Sequence, residues 1–301
     1  MTGIGVVSLA GVTAFVVSFL VTPVAGALAL RWKIVALPSS RGVHLHPTPL
    51  LGGVAVVLGS IVGSCVGTNP LADPAVLWTL GMVVLSTIVG IVDDRVDLRW
   101  HTKLVLQILV ATFYVAATGP LPGFGVIGPG IALLWLVLMM NAVNLIDNSN
   151  GLASGTACVA AGVLGVIAIG GDQPHVAALA LAVCGASGGF FVHNFPRGSI
   201  FLGDGGSLPL GFVLGALSLQ IATDRAASSA LTLALPLAYP VFDLAFVVVW
   251  RLRSGESIVR GGTDHTVHYL ARHLRSLRMA VVLLLGVTAA LGVATAVLEL
   301  A

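Results

Sequence analysis

The chain has 301 residues, 57% of them apolar and only 9% charged, with a mean hydropathy of +1.05 and a formal net charge of +2. An ordinary soluble domain carries about 25% charged residues, so a water-soluble globule is excluded and an integral membrane protein is the reading that remains. The total charge says little, since its distribution carries the information; no nucleic-acid partner is expected.

A transmembrane helix needs about 20 mostly apolar residues. Ten segments meet or approach that length, near 4 to 30, 50 to 67, 75 to 92, 104 to 118, 126 to 146, 152 to 170, 175 to 193, 208 to 221, 229 to 250 and 279 to 300. The expected fold is an all-α polytopic bundle of about ten spans, forming one domain over residues 1–301. Thirteen of the fourteen Lys and Arg fall on one side of this arrangement, and only Arg225 falls on the other. Basic residues in short loops concentrate on the cytoplasmic side. The reading is therefore a multi-pass protein of the cell membrane with both termini outside. Arg31 follows the first apolar run and no basic residue precedes it, which is the reverse of a cleavable signal peptide. The outer connections, "GTNPLADP", "GPLPGFGVIGPG", "GGDQPH" and "ATDRAAS", are turn sequences. The five inner loops, 31 to 49, 93 to 103, 147 to 151, 194 to 207 and 251 to 278, each carry a polar cluster, so chemistry is expected at the cytoplasmic face.

In "GIVDDRVDLRWHTK" three carboxylates, Asp93, Asp94 and Asp97, close the third segment. On a continuing helix Asp93 and Asp97 share a face, and two carboxylates about 4 Å apart repel by roughly 4 kcal/mol at an effective dielectric of 20. A raised pKa, a salt bridge to Arg95, Arg99 or Lys103, or a divalent cation must offset this. In "NAVNLIDNSNGL" Asn141, Asn144 and Asp147 recur every three residues and wind slowly round one helix face. Asn148, one turn beyond Asn144, would widen that stripe before the Asn150-Gly151 turn. Amides in membrane helices often serve only to bond neighbouring helices, but an ionisable aspartate among them points to a site.

In "HNFPRGSIFLGDGGSLPLG" the Gly203–Ser207 stretch combines a carboxylate, Asp204, with glycines that let a backbone approach a ligand. Successive N–H groups in such a turn can form an anion-binding nest. The last inner loop holds Asp264, His265 and His268 and then a run of arginines, "LARHLRSLR", patterned like a basic interfacial helix. Two histidines three apart could bind zinc, act as acid and base, or grip phosphate; hard oxygen ligands on the same face favour magnesium over zinc. Cys65, Cys158 and Cys184 all lie in apolar segments without ligand spacing and read as small buried hydrophobes.

Six motifs in order resemble the polyprenyl-phosphate N-acetylhexosamine-1-phosphate transferases, whose members include phospho-MurNAc-pentapeptide translocase. These are "RGVHLHPTPLLGG", "VDDRVDLRWHTKLVLQ", "NAVNLIDNSNGLASG", "FPRGSIFLGDGGSLPLG", "PVFDLAFVVVWRLRSG" and "DHTVH". The resemblance implies a helical bundle of ten or eleven spans that joins a UDP-amino-sugar to a membrane polyprenyl phosphate, releasing UMP with magnesium, or manganese in its place. It also allows contacts with membrane lipids and a homodimer. Asp204 matches the family's metal aspartate, and Asp147 is expected to support it. Asp93 and Asp94 would orient or deprotonate the lipid phosphate and support the metal, roles the sequence leaves undivided. Asp147, with Asn144 and Asn194, would complete the metal and nucleotide surface. His265 and His268 would hold diphosphate or lipid phosphate, with Arg41, His44 and Lys103. Asp243 occupies a motif position but reads equally well as a packing partner.

The chain departs from the family pattern at Asn150, where an aspartate is usual, and at Asn148, where a glycine is usual. Asn150 keeps an acceptor oxygen and loses the charge, which would weaken the metal or shift nucleotide specificity. The sparse histidine loop and Asn148 favour the amino-sugar branch over the translocase branch. An aspartate-rich intramembrane prenyltransferase would account for "DDRVD" but leave "GDGGS" and "DHTVH" without a role. A secondary transporter would place its ionisable groups near the midplane. A degenerate, inactive relative is the third alternative.

Overall fold

The computed structural model describes residues 3–36, 47–119, 124–223, 234–259 and 262–300. Within them run α1 (Gly3–Trp32), α2 (Gly52–Gly67), α3 (Pro74–Val96), α4 (Trp100–Thr118), α5 (Gly128–Ile146), α6 (Leu152–Gly170), α7 (Pro174–Asn194), α8 (Asp204–Thr223), α9 (Ala238–Ser254), α10 (Thr266–Leu274) and α11 (Leu277–Leu300). A two-residue antiparallel pair, β1 (Val35–Ala36) and β2 (Thr48–Pro49), sits between α1 and α2, with Val35 opposite Pro49. Among the described residues nine helices are long and apolar enough to cross a membrane, and Gly52–Gly67 is apolar but shorter. The ten expected segments thus each correspond to a helix.

The boundaries move where chemistry begins. α4 starts at Trp100 and α8 at Asp204, four residues before the apolar runs that announced them. Hydropathy marks only the part of a helix that lies in hydrocarbon, and a polar end continues the same helix beyond it. Lys103 and Asp204, expected in loops, are therefore held on helices. The "GDGGS" stretch is the first turn of α8, not a free glycine-rich loop. Conversely α5 stops at Ile146, so Asn148 lies in the following turn, where its Nδ2 donates to the Leu145 carbonyl at 2.8 Å, and does not extend the Asn141–Asn144 face.

Small residues let these helices close on one another, as membrane interiors demand where packing replaces the hydrophobic drive. α2 lies against α1 and α7. A Cβ on its Gly63 would fall 2.5 Å from the Ala10 carbonyl oxygen and 2.7 Å from the Ala14 Cβ. At the centre is α8, buried along almost its whole length and packed between α3 and α5. Beyond its first turn and short of its last residue it is apolar on every side except for Ser218 and Gln220, whose polar atoms bond Trp135, Thr79 and Tyr114. Gly90 of α3 crosses the start of α8 so closely that a Cβ there would stand 2.1 Å from the Asp204 carbonyl oxygen. That contact brings the end of α3 to the beginning of α8.

Candidate active site

The ends of α3, α4, α5 and α8 meet at the basic end of the bundle and bring together six of the side chains singled out in the sequence. Lys103 Nζ lies 2.8 Å from Asp93 Oδ2 and also bonds Asp204 Oδ2. One ammonium thus bridges two carboxylates 111 positions apart in the chain, which answers how Asp93 is offset. Asn144 Nδ2 donates to Asp204 Oδ1 at 2.6 Å and to Ser207 Oγ at 2.8 Å, and its Oδ1 lies 3.4 Å from Lys103 Nζ. Ser207 was legible as part of the glycine-rich run, but its position one turn after Asp204 on a helix is what aims it at Asn144.

The paired aspartates divide. Asp94 accepts from the backbone N–H groups of Asp204 at 3.0 Å and Gly205 at 3.1 Å. Those are orphan donors of a helix N-terminus, which also carries partial positive charge. The anion nest expected in the glycine-rich turn is therefore filled by a carboxylate of the chain itself. Asp93 instead faces Lys103 and takes the Leu98 N–H at 2.8 Å on its other oxygen. Asp97 ends α3 in the left-handed region (φ 52°) and does not continue the Asp93 face. Asp147 caps the C-terminus of α5 beside this group. Burial, with the Asp204 and Asp94 charges nearby, pushes its carboxyl well above the ordinary carboxylate range, and the Gly203 N–H partly counters that.

Asn141, Asn150 and Asn194 take other partners. Asn141 Nδ2 bonds Gln107 Oε1 at 2.7 Å and the Val137 carbonyl, tying α5 to α4. Asn194 is buried with both ends of its amide committed to backbone: Oδ1 accepts the Gly151 N–H, and Nδ2 donates to the Ile200 carbonyl at 2.8 Å. It pins the α5–α6 turn to the α7–α8 loop, a different task from the nucleotide surface expected of it. Asn150 lies over the same loop, with Nδ2 3.4 Å from the Pro196 carbonyl and its side chain directly above Gly198.

A second cluster forms where α9 meets the start of α10. His265 is buried, and its Nδ1 lies 2.8 Å from Asp243 Oδ2. Asp243 Oδ1 accepts from the Thr266 N–H at 2.8 Å and from the Thr266 hydroxyl. An ionised carboxylate can only accept, so Nδ1 carries the hydrogen and Nε2 is the ring's remaining acceptor. Below them Arg251 grips Asp264 through Nε at 2.6 Å and Nη2 at 3.0 Å, while Nη1 donates to the Ile258 carbonyl. The Arg251 bonds hold the Asp264 carboxyl below the usual carboxylate range. His268 is pushed below the ordinary imidazole value by burial and then by His265. Arg41 and His44 lie outside the described residues.

Hard oxygens dominate the first cluster: the carboxylates of Asp93, Asp147 and Asp204 and the amide of Asn144. An ammonium already lodges between two of them, so the donor set suits a hard divalent cation such as magnesium. Among the described residues no three acidic, imidazole or thiol side chains converge as a ready-made ion cage. Lys103 occupies the space between the carboxylates instead.

These residues fall within residues 76–222, which match the profile of the family described as Glycosyl transferase family 4. The chain is 30% identical over 317 residues to a decaprenyl-phosphate N-acetylglucosaminephosphotransferase of Mycobacterium leprae, covering 92% of this chain and 80% of the relative. The chain belongs to the polyprenyl-phosphate N-acetylhexosamine-1-phosphate transferase family. A probable undecaprenyl-phosphate N-acetylglucosaminyl 1-phosphate transferase of Bacillus subtilis is 29% identical, with 91% of this chain and 80% of that protein covered. A phospho-N-acetylmuramoyl-pentapeptide-transferase of Moorella thermoacetica is 32% identical over 71% of this chain and 75% of its own length. The family profile takes in the carboxylate cluster and stops before His265, whereas the match to the Mycobacterium leprae relative, over 92% of this chain, takes in the histidine cluster as well.

Proposed function

We propose that the chain is a magnesium-dependent phosphotransferase of the cytoplasmic membrane face. It moves an N-acetylhexosamine 1-phosphate from a UDP-sugar to a polyprenyl phosphate. The observation that carries this reading is the Asp93–Lys103–Asp204 bridge held against the start of α8 by Asp94. A lipid-phosphate oxygen bonds to the β-phosphorus of the UDP-sugar, the bond from that phosphorus to the oxygen bridging the α-phosphate breaks, and UMP leaves with that oxygen. Two anions must meet for this to happen, and a bound divalent ion would supply the neutralising charge that lets them approach.

Asp204 and Asp147, with the Asn144 amide oxygen, are the residues that would hold the ion. Asp94 fixes the position of Asp204 by capping its helix. Asp93 keeps Lys103 oriented, and Lys103 is the cation nearest the carboxylates that an incoming phosphate can share. His268 offers a hydrogen bond to phosphate oxygens, His265 beside it, with its tautomer set by Asp243, presents Nε2 as an acceptor for a protonated oxygen or a water, and Arg41 and His44 belong to the same expected surface. The relatives named for N-acetylglucosamine, together with the Asn148 form of the α5–α6 turn, support an amino-sugar nucleotide as donor.

The test is UMP release from UDP-N-acetylglucosamine and undecaprenyl phosphate by the purified protein with magnesium, with the lipid product identified by mass. A diphosphate-linked sugar lipid is expected. Folded protein that releases no UMP with any of several UDP-sugars would remove the transferase reading, and prenyl transfer or solute flux would replace it.

A further inference from the structure

Pro23 lies inside α1, within the membrane span Gly5–Trp32. Proline has no N–H, so the Phe19 carbonyl, one helical turn earlier, loses its donor. In lipid no water replaces that donor, and a proline is tolerated in a spanning helix where a neighbouring group re-satisfies the freed carbonyl. The Thr22 hydroxyl, next to the proline, is spent on the Ser18 carbonyl at 2.6 Å. The donor comes from α7 instead: His193 Nε2 lies 3.0 Å from the Phe19 carbonyl oxygen. A carbonyl only accepts, so Nε2 carries the hydrogen and donates it. The imidazole also rests on the Phe19 ring, with centroids 4.7 Å apart and planes 36° from parallel. One turn earlier the two backbones nearly touch, since a Cβ on Gly189 would stand 2.4 Å from the Phe15 carbonyl oxygen. That approach sets His193 opposite Phe19.

His193 stands at the root of the loop that carries Asp204. Its own carbonyl accepts the Ser199 hydroxyl at 2.6 Å, and Asn194 beside it donates to the Ile200 carbonyl at 2.8 Å. Ile200 is buried and lies against α1 just beyond the proline, its Cδ1 3.6 Å from where a Gly26 Cβ would be. On its other side the loop is bonded to the segment that opens α2: Phe201 N–H donates to the Pro49 carbonyl at 2.8 Å, and Gly53 N–H to the Leu202 carbonyl at 2.9 Å. The stretch of α1 after Pro23 is thus one wall of this loop, and the course of that wall depends on how the gap left by the proline is closed. We propose that His193 is a positioning residue for the transfer reaction. Its Nε2–H replaces the hydrogen bond that Pro23 removes from α1, and by clasping α1 to α7 it seats the loop that presents Asp204. It acts through the loop and not by contact with substrate, and this effect on turnover rests on the transferase reading above.

Three substitutions in the full chain, in phosphatidylcholine nanodiscs, separate the donor from the ring. His193→Phe keeps a ring against Phe19 and removes the N–H. His193→Gln keeps an N–H at similar reach and removes the ring. Pro23→Ala gives α1 its own N–H for the Phe19 carbonyl. His193→Phe should lower the melting temperature by about 2–4 °C and kcat about tenfold, and His193→Gln should recover most of both. In the Pro23→Ala background His193→Phe should cost little in either measurement, because the pair no longer shares a bond to lose. Equal losses in both backgrounds, no recovery with glutamine, or unchanged turnover in a His193→Phe protein whose melting temperature falls would each overturn the proposal. Nitrogen NMR of histidine-labelled protein decides the case even where His193→Phe does not fold. The ring signal absent from His193→Gln should report a proton on Nε2 and should shift on Pro23→Ala; a proton on Nδ1 alone, or no shift, would overturn the clasp. Folded protein that releases no UMP with any UDP-sugar would sink the transferase reading, and the melting cycle, which needs no substrate, would still decide whether His193 holds α1.

Discussion

The carboxylate cluster and the histidine cluster lie at the same end of the bundle and are built on opposite principles. Around Asp204, four acidic side chains (Asp93, Asp94, Asp147 and Asp204) gather, and one ammonium, Lys103, contacts two of them, Asp93 and Asp204. Around Asp243, the carboxylate receives three hydrogen bonds, and Arg251 and Asp264 neutralise each other face to face. The first region is short of positive charge and strained by it, while the second is satisfied. The physical lesson is that an under-compensated group is where a cation and an anionic substrate gain most. A saturated network does something else: it fixes the orientation of the one atom it leaves free, here His265 Nε2.

Substitutions can break this contrast, and the largest effect belongs to the under-compensated side. Asp204→Asn should lower UMP release about 100–1,000-fold, as loss of a principal electrostatic group does. The folded bundle should survive, because one of several repelling charges disappears. Activity within tenfold of wild type would mean the cation is held elsewhere. Gly90→Ala should follow, since its Cβ would stand 2.1 Å from the Asp204 carbonyl oxygen. Overpacking of this kind costs about 1–3 kcal/mol, so thermal stability and turnover should fall together.

On the satisfied side, Asp243→Asn should reduce kcat about 10–100-fold with KM nearly unchanged and an altered pH–rate profile. An amide can donate to Nδ1 and so reverse the ring tautomer, a change that a purely packing role would not register. Asn150→Asp should move activity less than about tenfold, a bound set by adding one charge at a side chain that lies beside Pro196 and Gly198. A larger gain in magnesium affinity, read from the metal dependence of UMP release, would place position 150 beside the ion.

The smallest effect is on pH. Asp264 binds its proton less readily in the fold than at its ordinary value of 3.8. The unfolded chain therefore takes up that proton first, and the stability it contributes is complete above about pH 4 and lost as pH falls through the depressed folded value. Asp264→Asn should lower the melting temperature at pH 7 and flatten its decline toward pH 3; an unchanged acid limb would mean the Arg251 pair contributes nothing to the fold.

Where the sequence reading departed from the structure, the cause was a helix end. Asn148 stands one turn beyond Asn144 in the sequence, which would put it on the α5 face, but the helix stops at Ile146. Asp94 and Asn194, expected at the phosphate and nucleotide surface, bond backbone groups of Asp204, Gly205, Gly151 and Ile200 that helix ends and turns leave without partners. No spacing rule shows such groups, because the N–H donors that claim these side chains are created only when distant helices stop beside them. Asp243 was legible as a carboxylate near a helix end, yet its partner became evident only with α10 folded back on α9.

The sequence by itself determined the helical bundle, the segments that become its apolar helices, the end where basic and acidic groups gather and the family, because bilayer thickness sets segment length and the chemistry of phosphate transfer demands particular side chains in order. Only the tertiary structure decided that Asp93 meets Lys103 while Asp94 caps α8, that Lys103 stands between two carboxylates, and that His265 is oriented by Asp243. Those choices depend on helix crossings such as Gly90 on Asp204, where tenths of an ångström of backbone approach decide which of two adjacent side chains reaches a partner more than a hundred residues away.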